Sequence, residues 1–171
     1  SGVQASEEMS VAGGPATVSV IIAGPSQNGG RALVPPTGYW RDMRRVGERH
    51  GVLVGADEVI CSCGRFGHWF ASERMGVVPD MITFAKGVTS GYLPLSGVIA
   101  SRRVCEAFEE SGFVFRTGYT YSGHPASCAA GIANLELMDD EGLVERANHV
   151  VCRIRSGLTA LHAHVRVRFW R

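Results

Sequence analysis

The sequence predicts an α/β fold in which helices flank a largely parallel sheet. Apolar runs of strand length recur along the 171 residues, and segments with helical periodicity lie between several of them. The runs are nearly continuous in apolar character rather than alternating, which indicates strands that are buried on both faces. Short clusters of the 22 glycines separate the runs, as expected where the backbone must turn tightly. Strands that alternate with helices are typical of layered α/β domains.

Four apolar runs of five to seven residues predict the strands. Each ends at a glycine, a proline or a polar residue, which marks the boundary of the strand. Residues 1–15 precede the first run, and their small and polar side chains predict a loop or linker. The predicted strands are Thr17–Ala23, Val52–Ala56, Met81–Ala85 and Leu95–Ala100.

Four segments predict helices through their apolar spacing and their terminal residues. We expect Thr37 to cap the first helix, which Gly51 closes, and Ser101 to cap the second. Pro125 occupies a position typical of a first helical turn, and the third helix, Ala126–Met138, follows it. The residues expected to face inward are Tyr39, Met43 and Val46 in the first helix, Val104 and Phe108 in the second, and Leu143, Ala147, Val150, Ile154 and Leu158 in the fourth, which spans about Glu141–Leu161.

The charge balance and the hydropathy of the chain argue against two classes of partner. With 17 basic and 16 acidic residues, the formal net charge is +1, which gives no reason to expect nucleic acid or an anionic membrane surface. No apolar run approaches the roughly 20 residues that span a bilayer, and no signal peptide is recognisable at the start. Five cysteines without a small-domain spacing favour a reducing, cytoplasmic setting.

Two ionisable residues stand at the ends of predicted strands. Asp57 ends the second apolar run and Lys86 ends the third, and ligands bind beyond the carboxyl ends of strands in open α/β sheets. A carboxylate and an amine in one crevice suit pyridoxal phosphate, because the amine forms an imine and the carboxylate keeps the pyridine nitrogen protonated. The residues alone leave a second interpretation open, in which the two groups form a structural ion pair.

Longer motifs around these residues carry a family resemblance. The chain reads GVLVGADEV, then CGRFG, then GVVPDMITFAKGVTSGYLPLSGVIAS, and later YTYSGHPASCAAGIANLELM. In residue type, order and spacing these motifs resemble the class III, or omega, aminotransferases over roughly residues 17–150. The resemblance implies the large-domain fold of fold-type-I pyridoxal-phosphate enzymes. It divides the chain into a linker or truncated upstream segment (1–16), a cofactor-binding segment (17–150), and the end of a large-domain helix with the start of a small domain (151–171).

The resemblance also implies roles for individual residues. Lys86 matches the lysine that forms the imine with pyridoxal 5'-phosphate, and Asp57 matches the partner of the pyridine nitrogen. Val59 matches the residue that packs on the face of the ring, and Gln27 matches a glutamine near the ring hydroxyl. Thr120 matches a threonine that contacts the cofactor phosphate of the neighbouring subunit, which implies a homodimer.

The implied reaction is the transfer of an amino group by a ping-pong cycle. The TSGYLPLSG motif is most similar to the branch that moves an amino group from an omega-amine or omega-amino acid to a keto acid such as pyruvate. Two alternatives remain open. One is an aminomutase or racemase with the same core motifs, and the other is an inactive, truncated chain. We expect no metal, because Cys61 and Cys63 with the distant His68 lack the paired spacing of zinc ligands.

Two positions and one turn depart from the family pattern. Gly24 stands where a glutamate usually precedes the proline, and Gly55 stands where a large aliphatic residue is expected inside the strand. The glycine-rich turn reads Cys61-Ser62-Cys63-Gly64-Arg65-Phe66-Gly67 in place of the usual order.

The family's phosphate-binding turn, ring-stacking aromatic residue and substrate-binding arginine are not recognisable in the sequence, so we expect this chain to be a fragment. Its ending, His162–Arg171, alternates apolar residues with arginines and predicts an edge strand or the start of a second domain.

Overall fold

The computed structural model describes residues 2–27, 33–110, 112 and 114–162. Within them, four strands form one sheet, namely β1 Val20–Ala23, β2 Leu53–Asp57, β3 Met81–Phe84 and β4 Gly97–Ala100. The strands lie side by side in chain order; the first three are parallel, and β4 is antiparallel to β3. The predicted α/β fold with a mostly parallel sheet is therefore confirmed, and each strand overlaps a predicted one.

Six α-helices accompany the sheet in the described residues. They are α1 Gly2–Ala12, α2 Tyr39–His50, α3 Ala71–Arg74, α4 Arg102–Glu110, α5 Pro125–Asp140 and α6 Leu143–His162. Helices α2, α4, α5 and α6 match the four predicted helices to within a few residues, whereas α3 was not predicted. The basic tail at 163–171, for which an edge strand or a second domain was expected, lies outside the described residues.

The prediction of a loop over residues 1–15 was wrong, because α1 occupies most of it. Glu7 on α1 accepts hydrogen bonds from Arg49 (2.5 Å) and His50 (3.3 Å) at the end of α2. These partners lie more than 40 positions away in the sequence, so local composition could not reveal them. A short helix of this kind depends on tertiary contacts more than on intrinsic propensity.

The helix caps agree with prediction at some ends and differ at others. Gly51 closes α2 in the left-handed conformation and Pro125 opens α5, both as expected. The N-cap of α2 is Gly38 rather than Thr37. Ser101 precedes α4 as predicted, but its buried hydroxyl has no hydrogen-bond partner in the described residues, so it caps only through its backbone carbonyl.

The principal core lies between α2 and the sheet. It joins Trp40 and Met43 of α2 to Val54 and Ala56 of β2 and to Val77, and all five side chains are at least nine-tenths buried. This packing covers one face of the sheet.

Helix α6 departs from the predicted packing. Val150 and Ile154 were expected to face inward but are 42% and 54% exposed, while Val144 at the start of the helix is buried. Apolar spacing identifies a face of a helix, but it does not reveal whether the same chain covers that face. Separately, none of the described helices combines the length and apolar character needed to cross a membrane.

Asp80 anchors the start of β3 to its neighbours. Its Oδ2 accepts a hydrogen bond from the backbone N–H of Val54 (2.8 Å) and one from Arg44 of α2 (2.6 Å). Burial pushes the pKa of Asp80 upward, but these two donors outweigh burial and hold the pKa below its ordinary 3.8. The carboxylate therefore joins helix, β2 and β3 more strongly when it is ionised than when it is protonated.

Replacing Asp80 with Asn should lower the free energy of unfolding at neutral pH by about 2 kcal/mol, since it leaves Arg44 without its buried, charged partner. Because the folded state holds the lower pKa, the stabilisation is complete above the ordinary carboxyl pKa and is lost as the pH falls through the folded value. Urea denaturation should therefore show the difference between wild type and Asp80→Asn shrinking below about pH 4. The control is Glu48→Gln on the exposed side of Arg44, which should change stability by less than about 0.5 kcal/mol. A difference that persists unchanged at low pH would contradict this role.

Candidate active site

A crevice of about 570 Å³ opens at the carboxyl ends of the parallel strands. β1 and β2 end there side by side, with Ala23 paired to Ala56, and Lys86 follows the end of β3. This is the edge at which open α/β sheets bind ligands. The residues that line the crevice are Ile22, Ala23, Gly24, Ser26, Gln27, Asp57, Val59, Ile60, Cys61 and Lys86.

Four of the five residues predicted from the resemblance meet in this crevice. They are Gln27, Asp57, Val59 and Lys86. The fifth, Thr120, is exposed in the turn before α5 and is not among the residues that line the crevice. An exposed position is compatible with a contact to a second subunit, and that role stays a prediction.

Asp57 is held by two donors at the end of β2. Its Oδ1 accepts a hydrogen bond from the backbone N–H of Val59 (3.2 Å) and one from the hydroxyl of Thr83 on β3 (3.2 Å). Thr83 lies directly beside Asp57 in the register of the two strands. The carboxylate is thus exposed to the crevice and yet restrained on one side.

Lys86 begins a 3-10 turn, Lys86–Thr89, in an unusual backbone conformation. Its φ is +45°, in the left-handed region that non-glycine residues rarely adopt, and such strain is concentrated at functional sites. A Cβ on the next residue, Gly87, would lie 2.9 Å from the Cβ of Cys63, so glycine allows the turn to pack against that loop. Lys86 is also the sole lysine of the 171-residue sequence.

Asn134 on α5 is hydrogen-bonded to the 3-10 turn Lys86–Thr89 (the lysine turn) and to Ser90, which follows it. Its amide nitrogen donates to the carbonyls of Gly87 (3.0 Å) and Val88 (3.1 Å), and its Oδ1 accepts from the hydroxyl of Ser90 (2.7 Å). Sequence reasoning missed this residue. The available signal was an amide in the middle of a helix rich in Ala and Gly, where a polar side chain needs a partner.

Glu58 is a second residue that sequence reasoning missed. Its side chain is completely buried, and its carboxylate accepts hydrogen bonds from the backbone N–H groups of Ala71 (2.6 Å) and Ser72 (2.8 Å) at the start of α3. Glu58 follows the last residue of β2, and these two bonds hold its carboxylate at α3, away from the crevice that Asp57 lines. These hydrogen bonds connect the start of α3 to the segment that follows β2, which includes the crevice residues Val59 and Cys61.

The structure accounts for two of the departures from the family pattern, Gly24 at this edge of the sheet and Gly55 in the middle of β2. Gly24 is part of the crevice wall, so no side chain extends from that position. A Cβ at Gly55 would lie 3.1 Å from Cγ1 of Ile22, which shows that the side chain of Ile22 occupies the neighbouring space. The volume expected from a large residue at position 55 is thus partly supplied by β1.

The side chains in the crevice fit pyridoxal phosphate. An amine can bond to the aldehyde, a carboxylate can accept from the ring nitrogen, and Ile22 and Val59 offer apolar surface to a ring. Burial raises the pKa of the Cys61 thiol above its ordinary 9.0, so this cysteine is not a thiolate nucleophile at neutral pH. Across the described residues, no group of three His, Cys, Asp or Glu side chains is placed to hold a metal ion.

Comparison with known proteins agrees with this chemistry. The model of the family "Aminotransferase class-III" matches residues 3–168. The diaminobutyrate--2-oxoglutarate transaminase of Halomonas elongata is 43% identical over 92% of this chain and 34% of its own length. The putrescine--pyruvate aminotransferase of Pseudomonas aeruginosa is 40% identical over 78% of this chain and 29% of its own length.

Solved structures agree as well. The S-selective transaminase from an Arthrobacter species superposes with a TM-score of 0.89 at 37% identity, over 94% of this chain and 34% of that one. The chain spans about a third of the length of the relatives it matches. With fold, crevice residues and family model in agreement, the chain belongs to the class III aminotransferases, a family of pyridoxal-phosphate-dependent enzymes.

Proposed function

We propose that this chain is the segment of an aminotransferase that supplies the imine-forming lysine and the carboxylate for the ring nitrogen of pyridoxal phosphate. The observation that carries the proposal is the meeting of Asp57 and Lys86 in one crevice at the ends of parallel strands. Three further features support it, namely the restrained carboxylate, the strained backbone of Lys86 and the apolar side chain of Val59 beside them.

Each residue has a distinct task in the proposed reaction. When bound, pyridoxal phosphate supplies an electron sink for the charge that develops at the substrate carbon. Asp57 favours the protonated ring nitrogen through a charge-assisted hydrogen bond. The Lys86 amine would hold the cofactor at rest and, when free, would move a proton at the substrate carbon. Val59 would offer apolar surface to the ring, and Gln27 would lie near the ring hydroxyl.

The substrate proposal is an omega-amine or omega-amino acid as donor and a keto acid such as pyruvate as acceptor, in a ping-pong cycle. The TSGYLPLSG motif and the name of the putrescine--pyruvate relative support it. Because the name of another relative, the diaminobutyrate--2-oxoglutarate transaminase, gives a different acceptor, 2-oxoglutarate should be assayed beside pyruvate. The described crevice residues include no arginine for an acceptor carboxylate, so acceptor choice depends on residues elsewhere in the enzyme.

We also propose a cytoplasmic homodimer. The exposed turn that carries Thr120 supports the dimer, because Tyr119 and Tyr121 beside it are 82% and 83% exposed and large aromatic side chains are enriched at interfaces. Five cysteines without a disulfide support a reducing compartment. In this proposal, residues 17–150 form the cofactor-binding segment and 151–171 lead towards a small domain.

Turnover tests the proposal in a length-restored protein, in which this chain replaces the matching segment of the putrescine--pyruvate aminotransferase. We expect putrescine to be consumed in the presence of pyruvate, with parallel lines in double-reciprocal plots as a ping-pong cycle requires. The 171-residue chain alone should bind the cofactor weakly and show no sustained turnover, because its crevice is open and offers no arginine for a phosphate. Lack of turnover in a folded length-restored protein would refute the proposed reaction. Sustained turnover by the chain alone, lost in Lys86→Ala, would show that the chain is a complete enzyme.

A further inference from the structure

We propose that Thr83 is a positioning residue that orients the Asp57 carboxylate towards the ring nitrogen of the cofactor. The inference rests on the proposed function and goes beyond it, because Thr83 itself does not line the crevice. It acts through Asp57, on the neighbouring strand.

The geometry of the carboxylate supports the assignment. A carboxylate has about four acceptor positions, roughly two on each oxygen. The backbone N–H of Val59 and the hydroxyl of Thr83 both donate to Oδ1, at 3.2 Å each, and so use its capacity. In the part of the chain that the structure describes, no donor reaches Oδ2. That oxygen therefore keeps its capacity for a donor in the crevice.

Strand pairing explains why Thr83 can perform this task. Asp57 and Thr83 are partners in the parallel register of β2 and β3, so their side chains leave the sheet next to each other. Threonine is β-branched, and its χ1 is restricted in a strand, so its hydroxyl is held in place with little loss of entropy. The Val59 N–H belongs to a turn, whereas the Thr83 hydroxyl is attached to the sheet. Thr83 is thus the donor to Asp57 whose position is set by the strand register.

The test compares pyridoxal phosphate with an analogue in which carbon replaces the ring nitrogen. Both carry the aldehyde, so borohydride trapping at Lys86 as a function of concentration reports the affinity of each for the full chain. Thr83→Val keeps the shape of the side chain and removes the donor. We expect it to weaken pyridoxal phosphate binding roughly tenfold and to leave binding of the analogue within about twofold, because the analogue offers no ring N–H to Asp57. Thr83→Ser should restore the wild-type affinity to within about twofold.

Each outcome decides between the proposals. An equal loss of affinity for both compounds in Thr83→Val would show a merely structural role and overturn the inference. Unchanged affinity for both would also overturn it, provided that Asp57→Asn weakens pyridoxal phosphate selectively. If Asp57→Asn does not distinguish the two compounds, the contact between Asp57 and the ring nitrogen is absent, and the proposed function loses its basis. In an Asp57→Asn background, Thr83→Val should have no further selective effect, since the two changes interrupt the same contact.

Discussion

Borohydride reduction of the chain in the presence of pyridoxal phosphate should attach the cofactor to Lys86 and to no other side chain. The 171-residue sequence contains one lysine, so the competing amine is the terminal α-amine of the expressed chain. Peptide mapping by mass spectrometry separates these two sites without ambiguity. In the length-restored protein, Lys86→Ala should lower turnover by roughly a thousandfold or more, because both the covalent attachment and the proton transfer are lost.

Lys86→Arg is the matched control, since it keeps the positive charge but cannot form the imine under these conditions. It should lose both label and turnover as Lys86→Ala does. A wild-type chain that is labelled at its terminal amine alone, at every cofactor concentration, would exclude Lys86 as the imine-forming residue. Turnover that survives in Lys86→Arg would show that the amine is not needed for the reaction.

Glu58→Ala should lower the free energy of unfolding by about 3 kcal/mol, a larger loss than the one expected for Asp80→Asn. The change removes a buried carboxylate, leaves the N–H groups of Ala71 and Ser72 without their acceptor, and opens a cavity. Urea denaturation of the chain measures the effect as a shift of the midpoint at constant slope. Since Glu58 holds the segment that carries Val59, cofactor affinity should fall as well.

Glu73→Gln is the control for this substitution. Glu73 lies on the same short helix, but its side chain is 49% exposed and pairs with the half-exposed His68, so its loss should change stability by less than about 0.5 kcal/mol. A loss below about 1 kcal/mol in Glu58→Ala would mean that water or a rearranged loop satisfies the two N–H groups, and would contradict the anchoring role.

The sequence predicted those features that depend on short stretches of chain. The apolar runs identified every strand of the described sheet, because β-branched and aliphatic residues favour strands locally. The expected burial on both faces was wrong for β1 and β4, where Ile22, Val98 and Ile99 are exposed. The positions of Asp57 and Lys86 followed directly, since each ends such a run. Once these strands pair in parallel, their carboxyl ends meet at one edge of the sheet, and a shared crevice is the consequence.

Other features depended on which distant segments come together. The hydroxyl of Thr83 reaches Asp57 through the register of β2 and β3, and Asn134 reaches the lysine turn from a helix more than 40 positions away. Glu58 became a buried anchor rather than a second crevice acid because its carboxylate accepts hydrogen bonds from the start of α3.

The predictions that were wrong also concern contacts between segments that are far apart in the chain. Residues 2–12 form a helix that pairs with the end of α2, whereas the apolar face of α6 around Ile154 stays exposed. Local sequence encodes the intrinsic preference of a segment and the spacing of its apolar residues, and these determined the strands, the main helices and the two reactive groups. The tertiary structure alone decided the register of the strands, the faces that are covered, and the hydrogen bonds that hold the reactive groups in place. Each of these depends on how two segments that are far apart in the chain come together.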